Sequence, residues 1–191
     1  SREDVANALA VGSGLPIAIR GGGTSDASTV DGGIVIDLSA LDAIEIDAES
    51  RTTRVGGGVT WGELDAATQE HGLAVTGARL SALGVVGVAL GEGSGWLERA
   101  LGPTSSSVVG TEAVESDGLR VVTRLDLRLH PVGPELLCGF LSFPRERAAD
   151  VARAYRDYMG EAPDQVGGGL LLGAGLGGVC TIVFCYLGTV E

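Results

Sequence analysis

The sequence contains no lysine, and its thirteen basic residues are all arginine. Neither a Schiff-base lysine nor a phosphate-loop lysine can therefore come from these 191 residues. Acidic residues outnumber basic ones by 25 to 13, and the formal net charge is −12. Because such a charge repels phosphate backbones at long range, the composition argues against a nucleic-acid partner.

Cysteine and histidine are also scarce. The three cysteines, Cys138, Cys180 and Cys185, form no even disulfide framework, and we expect them to be small buried hydrophobes. The two histidines, His71 and His130, are too scattered for a convincing metal site. No apolar run reaches the roughly 18 residues of a membrane span, and no signal peptide is recognisable. The sequence predicts a cytoplasmic protein without a metal site or a membrane segment.

Glycine is abundant, with 32 residues that cluster at 21–23, 56–58, 84–95 and 167–178. The first cluster directly follows an apolar run that is typical of a buried strand. Consecutive glycines let backbone N–H groups turn inward and form a concave anion site, the usual cradle for phosphate. Residues 21–25 are therefore either a phosphate cradle or a flexible surface loop, and this short motif alone does not decide between them.

The order of predicted elements indicates a mixed helix and strand chain. Capping residues and helical spacing predict helices over residues 2–11, 60–71 and 145–159. Alternating or apolar runs predict strands at residues 17–20, 34–38, 44–47, 51–55, 73–75, 108–115, 119–130, 136–143 and 179–187, the last of them central in its sheet. Residues 84–95 are predicted to be an extended loop, and residues 167–178 a loose segment. Residues 130–134, which contain two prolines, are predicted to separate two domains.

Several motifs follow one another in a specific order: RGGGTS at residues 20–25, DGGIVIDLS at 31–39, VGGGVTWGEL at 55–64, HGLAV at 71–75, GVVGVALGEGSGWL at 84–97 and LRLHP at 127–131. Each motif is a weak signal by itself, but their order and spacing together are specific. They resemble the FAD-linked oxidoreductases of the vanillyl-alcohol-oxidase superfamily, and most of all the berberine-bridge-enzyme-like branch. The resemblance covers most of residues 1–132 and continues more loosely to residue 190.

The resemblance implies an α+β fold: a two-subdomain PCMH-type FAD-binding domain over residues 1–132, then a partial α/β substrate-domain unit over residues 133–191. In that family the first glycine loop binds the FAD pyrophosphate through backbone N–H groups. The second lies along the ribityl chain and flavin ring, and the backbone of a strand meets the adenine. The implied cofactor-binding residues are Arg20, Gly21, Gly22, Gly23, Thr24, Ser25, Gly77, Gly84, Gly87, Gly91 and, on the strand, Val114.

The activity that the resemblance implies is oxidase-type hydride transfer from a small organic substrate to the flavin. Many relatives tether the flavin covalently through a histidine in the first loop and a cysteine in the second. Here the first position is Thr24, and the second glycine-rich segment contains no cysteine. We therefore expect FAD to be held non-covalently. No residue of the chain matches a catalytic residue of the family, so the catalytic residues are unknown.

Other departures from the family pattern keep a second function open. Glu92 stands where relatives prefer glycine, and residues 121–123 run directly into Arg124 where relatives have a long insert. The later half of the relatives' substrate domain also has no counterpart. The alternative is a degenerate family member that acts as a small-molecule binding or partner protein without flavin redox activity. The expected partners are a small-molecule substrate or ligand and, through exposed strand edges of an incomplete second sheet, a second copy in a homo-oligomer.

Overall fold

The computed structural model describes residues 1–91, 93–133, 135–173 and 179–188. Its helices are α1 (Arg2–Val11), α2 (Trp61–Gln69), α3 (Val85–Leu90), α4 (Glu98–Leu101) and α5 (Ala148–Glu161). Its strands are β1 (Ile17–Arg20), β2 (Ile34–Asp37), β3 (Ile44–Asp47), β4 (Thr52–Gly56), β5 (Leu73–Ala74), β6 (Val108–Ser116), β7 (Leu119–Arg128), β8 (His130–Pro131), β9 (Leu137–Pro144), β10 (Val166–Leu172) and β11 (Val179–Tyr186). This mixture confirms the predicted α+β class.

Four sheets organise the described strands. β1 and β2 form a parallel pair, β5 and β8 a short antiparallel pair, and β3-β4-β7-β6 and β10-β11-β9 are antiparallel sheets. In the hairpin β6–β7, Glu115 lies opposite Arg120. The hairpin turns at Asp117 and Gly118, which both have positive φ angles, 49° and 79°. An Asp-Gly pair with this geometry is typical of tight hairpin turns, as the sequence predicts.

Helices α1 and α2 begin at the capping residues that the sequence predicts. Ahead of α1, the Ser1 hydroxyl accepts a hydrogen bond from the Asp4 backbone N–H at 3.3 Å. Ahead of α2, the Glu63 carboxylate accepts from the Thr60 hydroxyl at 2.7 Å and from the Thr60 backbone N–H at 2.8 Å. The bond from the Thr60 hydroxyl, followed by that from its N–H, lowers the pKa of Glu63. Each reciprocal pair satisfies N–H groups that a helix start would otherwise leave unpaired.

Two buried clusters meet on strand β7. The larger lies between the four-stranded sheet and helices α2 and α3, and it includes Trp61, Val85 and Leu125. The smaller packs α1 and β2 against the hairpin and includes Leu9 and Val121. Because β7 contributes to both clusters, the hairpin ties the N-terminal helix and parallel pair to the rest of the fold.

Two glycine-rich segments are more regular than the sequence predicts. Residues 85–90 form helix α3 inside the predicted extended loop, because Val85 and Ala89, one helical turn apart, are both buried on the same side. Residues 166–172 form β10, because their backbone pairs along its whole length with β11. The predictions of an extended loop and of a loose segment are therefore wrong for these residues. Residues 174–178 lie outside the described part of the chain.

The second antiparallel sheet has β11 at its centre, as predicted, with β9 and β10 at its edges. Arg99 of α4 connects this unit to the first part of the chain. Its guanidinium donates to the Met159 carbonyl at 2.8 Å and to the Ala162 carbonyl at 2.5 Å, at the end of α5. These bonds satisfy carbonyl groups that a helix end leaves unpaired. A domain boundary at residues 130–134 stays a prediction.

The expectation that the cysteines are buried is confirmed for two of the three. Cys180 and Cys185 are buried, but Cys138 is exposed because β9 is an edge strand. Cys138 and Cys185 lie directly opposite each other on neighbouring strands. Burial, together with the adjacent Cys138 thiol, raises the pKa of Cys185 to about 12.

The two facing thiols are expected to differ in reactivity, because the thiolate is the reactive form. At a pH near the ordinary thiol pKa of about 8.5, iodoacetamide should alkylate Cys138 and leave Cys185 unmodified in the folded protein. Urea-unfolded protein should react at both positions and serves as the control. Peptide mass spectrometry measures the extent of labelling, and equal labelling of both residues in the folded protein would contradict the expectation.

Candidate functional site

The first wall of the candidate site is the loop that follows β1. The strand ends at Arg20, and the chain enters residues 21–25. It turns at Gly23, whose φ of 72° is a left-handed conformation that side chains rarely adopt. The loop ends at Ser25, whose hydroxyl accepts from the Ala27 backbone N–H at 3.2 Å and caps one turn of 3-10 helix.

Backbone donors of this loop are available to a ligand. Within the described part of the chain, the N–H groups of Gly22, Gly23 and Thr24 donate to no protein acceptor. Successive N–H groups without protein partners form a concave site that favours an anion. The phosphate-cradle interpretation of this loop requires such unpaired N–H groups.

The second wall is the segment around the start of α3, and it touches the first loop through glycine backbones. A β-carbon on Gly22 would collide with the Gly84 backbone nitrogen and lie 2.9 Å from the Ala82 carbonyl oxygen. A β-carbon on Gly84 would in turn lie 2.7 Å from the Gly22 nitrogen. Only glycine fits at these two positions, and this close approach sets the spacing between the walls.

A cleft of about 520 Å³ lies between the two walls. Its floor includes Gly57, whose N–H donates to the Thr123 carbonyl of β7 at 2.9 Å. The volume is within the usual range of small-molecule sites, about 300–1,000 Å³. The described residues that line it are Ile19, Gly21, Gly22, Gly23, Thr24, Ser25, Ser28, Leu38, Gly57, Leu83, Gly84, Val86, Gly87, Val88, Leu90, Arg120 and Val122.

The chain that forms this cleft matches a known protein family. Residues 1–124 match the family described as "FAD binding domain". The chain belongs to the FAD binding domain family. The predicted cofactor, FAD, is confirmed by this membership, and every residue that lines the cleft lies within the matched segment.

The chain matches only part of the length of its named relatives. The (R)-6-hydroxynicotine oxidase of Paenarthrobacter nicotinovorans is 30% identical over 170 residues, which are 75% of this chain and 37% of that protein. The FAD-dependent monooxygenase tpcD of Cochliobolus heterostrophus is 34% identical over 127 residues, which are 64% of this chain and 24% of that protein. The chain therefore spans between about a quarter and two fifths of these relatives.

Solved structures show the same fold. The crystal structure of 6-hydroxy-D-nicotine oxidase from Arthrobacter nicotinovorans matches with a TM-score of 0.89 at 26% identity, over 100% of this chain and 49% of that chain. The wild-type berberine-bridge-enzyme-like protein 1 of Physcomitrella patens matches with a TM-score of 0.91 at 20% identity, over 99% of this chain and 47% of that one. The predicted resemblance to this superfamily is confirmed.

Most of the residues predicted to bind FAD lie together in the FAD-binding-domain cleft. Those that line it are Gly21, Gly22, Gly23, Thr24, Ser25, Gly84 and Gly87. Arg20, Gly77, Gly91 and Val114 are not among the lining residues. For the residues that line the cleft and for those that do not, contact with FAD stays a prediction.

The last four residues have other roles in the described structure. The Arg20 guanidinium lies 3.9 Å from the Asp37 carboxylate at the end of β2. The Ser39 N–H, which donates to Asp37, lowers the pKa of this carboxyl, and Arg20 acts in the same direction. Gly91 ends helix α3, and Val114 packs against the smaller buried cluster.

Gly77 is a packing glycine behind the cleft. A β-carbon on it would lie 2.7 Å from the ring of buried Trp61. A β-carbon on Gly95 would collide with the Gly77 carbonyl. Gly77 precedes α3 and packs against Trp61 at the start of α2, and Gly95, which follows α3, packs against Gly77. Gly77 therefore supports the second wall on the side that faces away from the cleft.

Ten residues that line the cleft are not among the residues predicted to bind the cofactor: Ile19, Ser28, Leu38, Gly57, Leu83, Val86, Val88, Leu90, Arg120 and Val122. Gly57 belongs to the glycine cluster at residues 56–58. The sequence signal that could have identified it is the predicted strand that directly precedes this cluster. Arg120 and Val122 are two apart on a strand, so alternation places them on one face. Which face meets the glycine loop depends on the register of the hairpin with β4, which local patterns do not give.

A second cavity, of about 690 Å³, lies between α5 and the second sheet. Its lining is mostly apolar and aromatic, with Tyr155, Tyr158 and Met159 from the helix and Leu141 and Phe184 from the sheet. The sequence predicts the amphipathic helix but not this cavity, because β10 was missed as a strand.

The remaining observations concern Glu92, membrane spans and metal ligands. Glu92, which stands where relatives prefer glycine, lies outside the described part of the chain. None of the described helices is long and apolar enough to cross a membrane. In the same residues, His, Cys, Asp and Glu side chains form no group of three or more that could hold a metal ion.

Proposed function

We propose that this chain binds FAD non-covalently in the cleft and belongs to an oxidoreductase that acts on a small organic molecule. The observation that carries the proposal is the contact of two glycine segments around unpaired backbone N–H groups, in a chain of the FAD binding domain family. The names of the relatives, an oxidase and a monooxygenase, support redox chemistry.

Each part of the cleft has a role in this proposal. The N–H groups of Gly22, Gly23 and Thr24 bind the diphosphate by donating hydrogen bonds to its oxygens. Gly84 and Gly87 let the backbone of the second wall approach the cofactor closely. Val86 and Val88 line the same wall and exclude water from it. FAD, when bound, supplies the redox chemistry by accepting a hydride from a substrate carbon.

The chemistry of the lining residues supports non-covalent binding. The described side chains around the cleft include no histidine and no cysteine, the residue types that tether flavin in many relatives. Thr24 and Ser25 offer hydroxyl groups that can hydrogen-bond to a phosphate but are weak nucleophiles at their ordinary pKa. The chain's own contribution is therefore binding and orientation of the cofactor.

The absorbance spectrum of the purified protein, followed by acid precipitation, tests this proposal. We expect visible flavin absorption and flavin in the supernatant after precipitation, with a denatured pellet that is colourless. A yellow pellet would contradict non-covalent binding. A colourless protein that takes up no FAD from an excess would contradict the function and favour the alternative, a small-molecule binding or partner protein without flavin chemistry.

We also propose a cytoplasmic location, a small-molecule substrate and a homo-oligomer for this chain. All three cysteines are free, and unpaired thiols are typical of a reducing compartment, which supports the cytoplasm. A small-molecule substrate is the partner that an FAD-linked active site requires. Among the described strands, β9 and β10 have no neighbour on their outer sides, and such edges favour a homo-oligomer.

A further inference from the structure

We infer that Arg120 is the cation that holds the diphosphate-bearing half of FAD in the cleft. This inference rests on the proposed cofactor site. Among the described residues that line the cleft, Arg120 is the only one with a charged side chain. No pattern around residue 120 in the sequence singles it out, because its role depends on the hairpin's position in the fold.

Strand alternation directs Arg120 to the cleft. Val121, the next residue on β7, is fully buried in the cluster that contains Leu9 of α1. Since successive side chains of a strand point to opposite faces, Arg120 and Val122 share the other face. Both of them line the cleft with the first glycine loop.

The Arg120 guanidinium is positioned by β6. Its Nη2 donates to the Thr111 hydroxyl at 2.8 Å, and its Nε lies 3.3 Å from the Glu115 carboxylate. A guanidinium has five N–H donors in a planar fork, so these two contacts leave donors that can bind phosphate oxygens. Because the side chain is already oriented, little rotamer freedom is lost when the cofactor binds.

The charge of the chain makes a cation at this site favourable. The chain has a net charge of −12, which repels the diphosphate of FAD. The loop N–H groups are neutral donors. The Arg20 guanidinium lies beside Gly23, but Arg20 does not line the cleft, whereas Arg120 does. The pair of Arg120 with Glu115 is exposed, so its net contribution to stability is small, and it leaves guanidinium donors available to a phosphate.

The test compares Arg120→Gln with Arg128→Gln, which removes the same charge from the same strand. Arg128 is exposed, is not a cleft residue, and lies about 26 Å farther along β7 at the usual rise per residue. Titration of apoprotein followed by flavin fluorescence measures Kd for FAD, and competition measures Kd for ADP. We expect Arg120→Gln to weaken both about tenfold or more, and Arg128→Gln to change them less than about twofold. Riboflavin, which lacks phosphate, should bind both variants like the wild type.

Other outcomes would overturn the inference. If the wild type binds FAD and Arg120→Gln binds it equally well, the inference fails while the proposed function stands. If the wild type binds no FAD, both fail. An equal loss of riboflavin affinity would show a general distortion of the cleft instead of a phosphate contact.

The double variant Glu115→Gln/Arg120→Gln separates contact from charge neutralisation. If Arg120 holds the diphosphate, the double variant stays as weak as Arg120→Gln. If Arg120 only neutralises Glu115, removal of that carboxylate restores wild-type affinity, which would contradict the inference. Thermal unfolding of each apoprotein shows that the compared variants are folded.

Discussion

Gly22→Ala is expected to weaken FAD binding strongly while the chain still folds. The added β-carbon would collide with the backbone nitrogen of Gly84, and neither backbone has a flexible side chain that could move aside. The two walls must therefore separate, which moves the loop N–H groups away from the phosphates. Overpacking of this kind typically costs about 1–3 kcal/mol, so we expect a modest loss of stability and a Kd for FAD raised by about a hundredfold.

Titration of FAD into apoprotein, with thermal unfolding in parallel, measures both effects. Gly160→Ala is the matched control, because a β-carbon at Gly160 on α5 meets nothing within 4 Å. It should leave FAD affinity unchanged and raise stability by about 0.5–1 kcal/mol, since alanine is a better helix former than glycine. Wild-type affinity in Gly22→Ala would show that the contact between the two glycine segments does not shape the cofactor site.

Trp61→Ala is expected to cause the largest loss of stability. Trp61 has no exposed surface, starts helix α2 and packs against Gly77 behind the second wall. Truncation of a buried tryptophan to alanine costs about 3–5 kcal/mol, a large part of the 5–15 kcal/mol that stabilises an ordinary domain. FAD affinity should fall as well, because the cavity lets the second wall relax away from the cleft.

Trp61→Phe separates packing from hydrogen bonding. The indole Nε1 is buried and has no hydrogen-bond partner among the described residues. Phenylalanine keeps an aromatic ring in the core and removes this unpaired donor, so we expect a loss of less than about 2 kcal/mol. Urea unfolding measures both variants. Equal losses for alanine and phenylalanine would contradict the view that ring packing is the dominant contribution of Trp61.

The sequence predicts the first wall of the site better than the second. Three consecutive glycines after an apolar strand directly indicate a loop with accessible N–H groups, and residues 21–25 form it. The second wall was predicted as an extended loop because Gly84, Gly87 and Gly91 lower helix propensity. Burial of Val85 and Ala89 on one side of α3 outweighs that local preference.

The position of Arg120 in the cleft could not be predicted from sequence patterns. Alternation predicts that it shares a strand face with Val122, but not which element covers that face. The cleft forms only when Gly57 and Val122 are brought beneath the first loop by the pairing of β4 with β7. Contacts between distant segments of this kind are set by the register of the sheet, and local spacing does not encode them.

Hydrogen–deuterium exchange with and without FAD can show whether FAD lies between the two glycine segments. We expect FAD to slow exchange in peptides that contain residues 21–25 and residues 84–90. Peptides from α5, which lines the second cavity, should exchange equally in both conditions. Slower exchange confined to α5 and its sheet, or unchanged exchange at residues 21–25 when FAD is bound, would contradict this location of the cofactor.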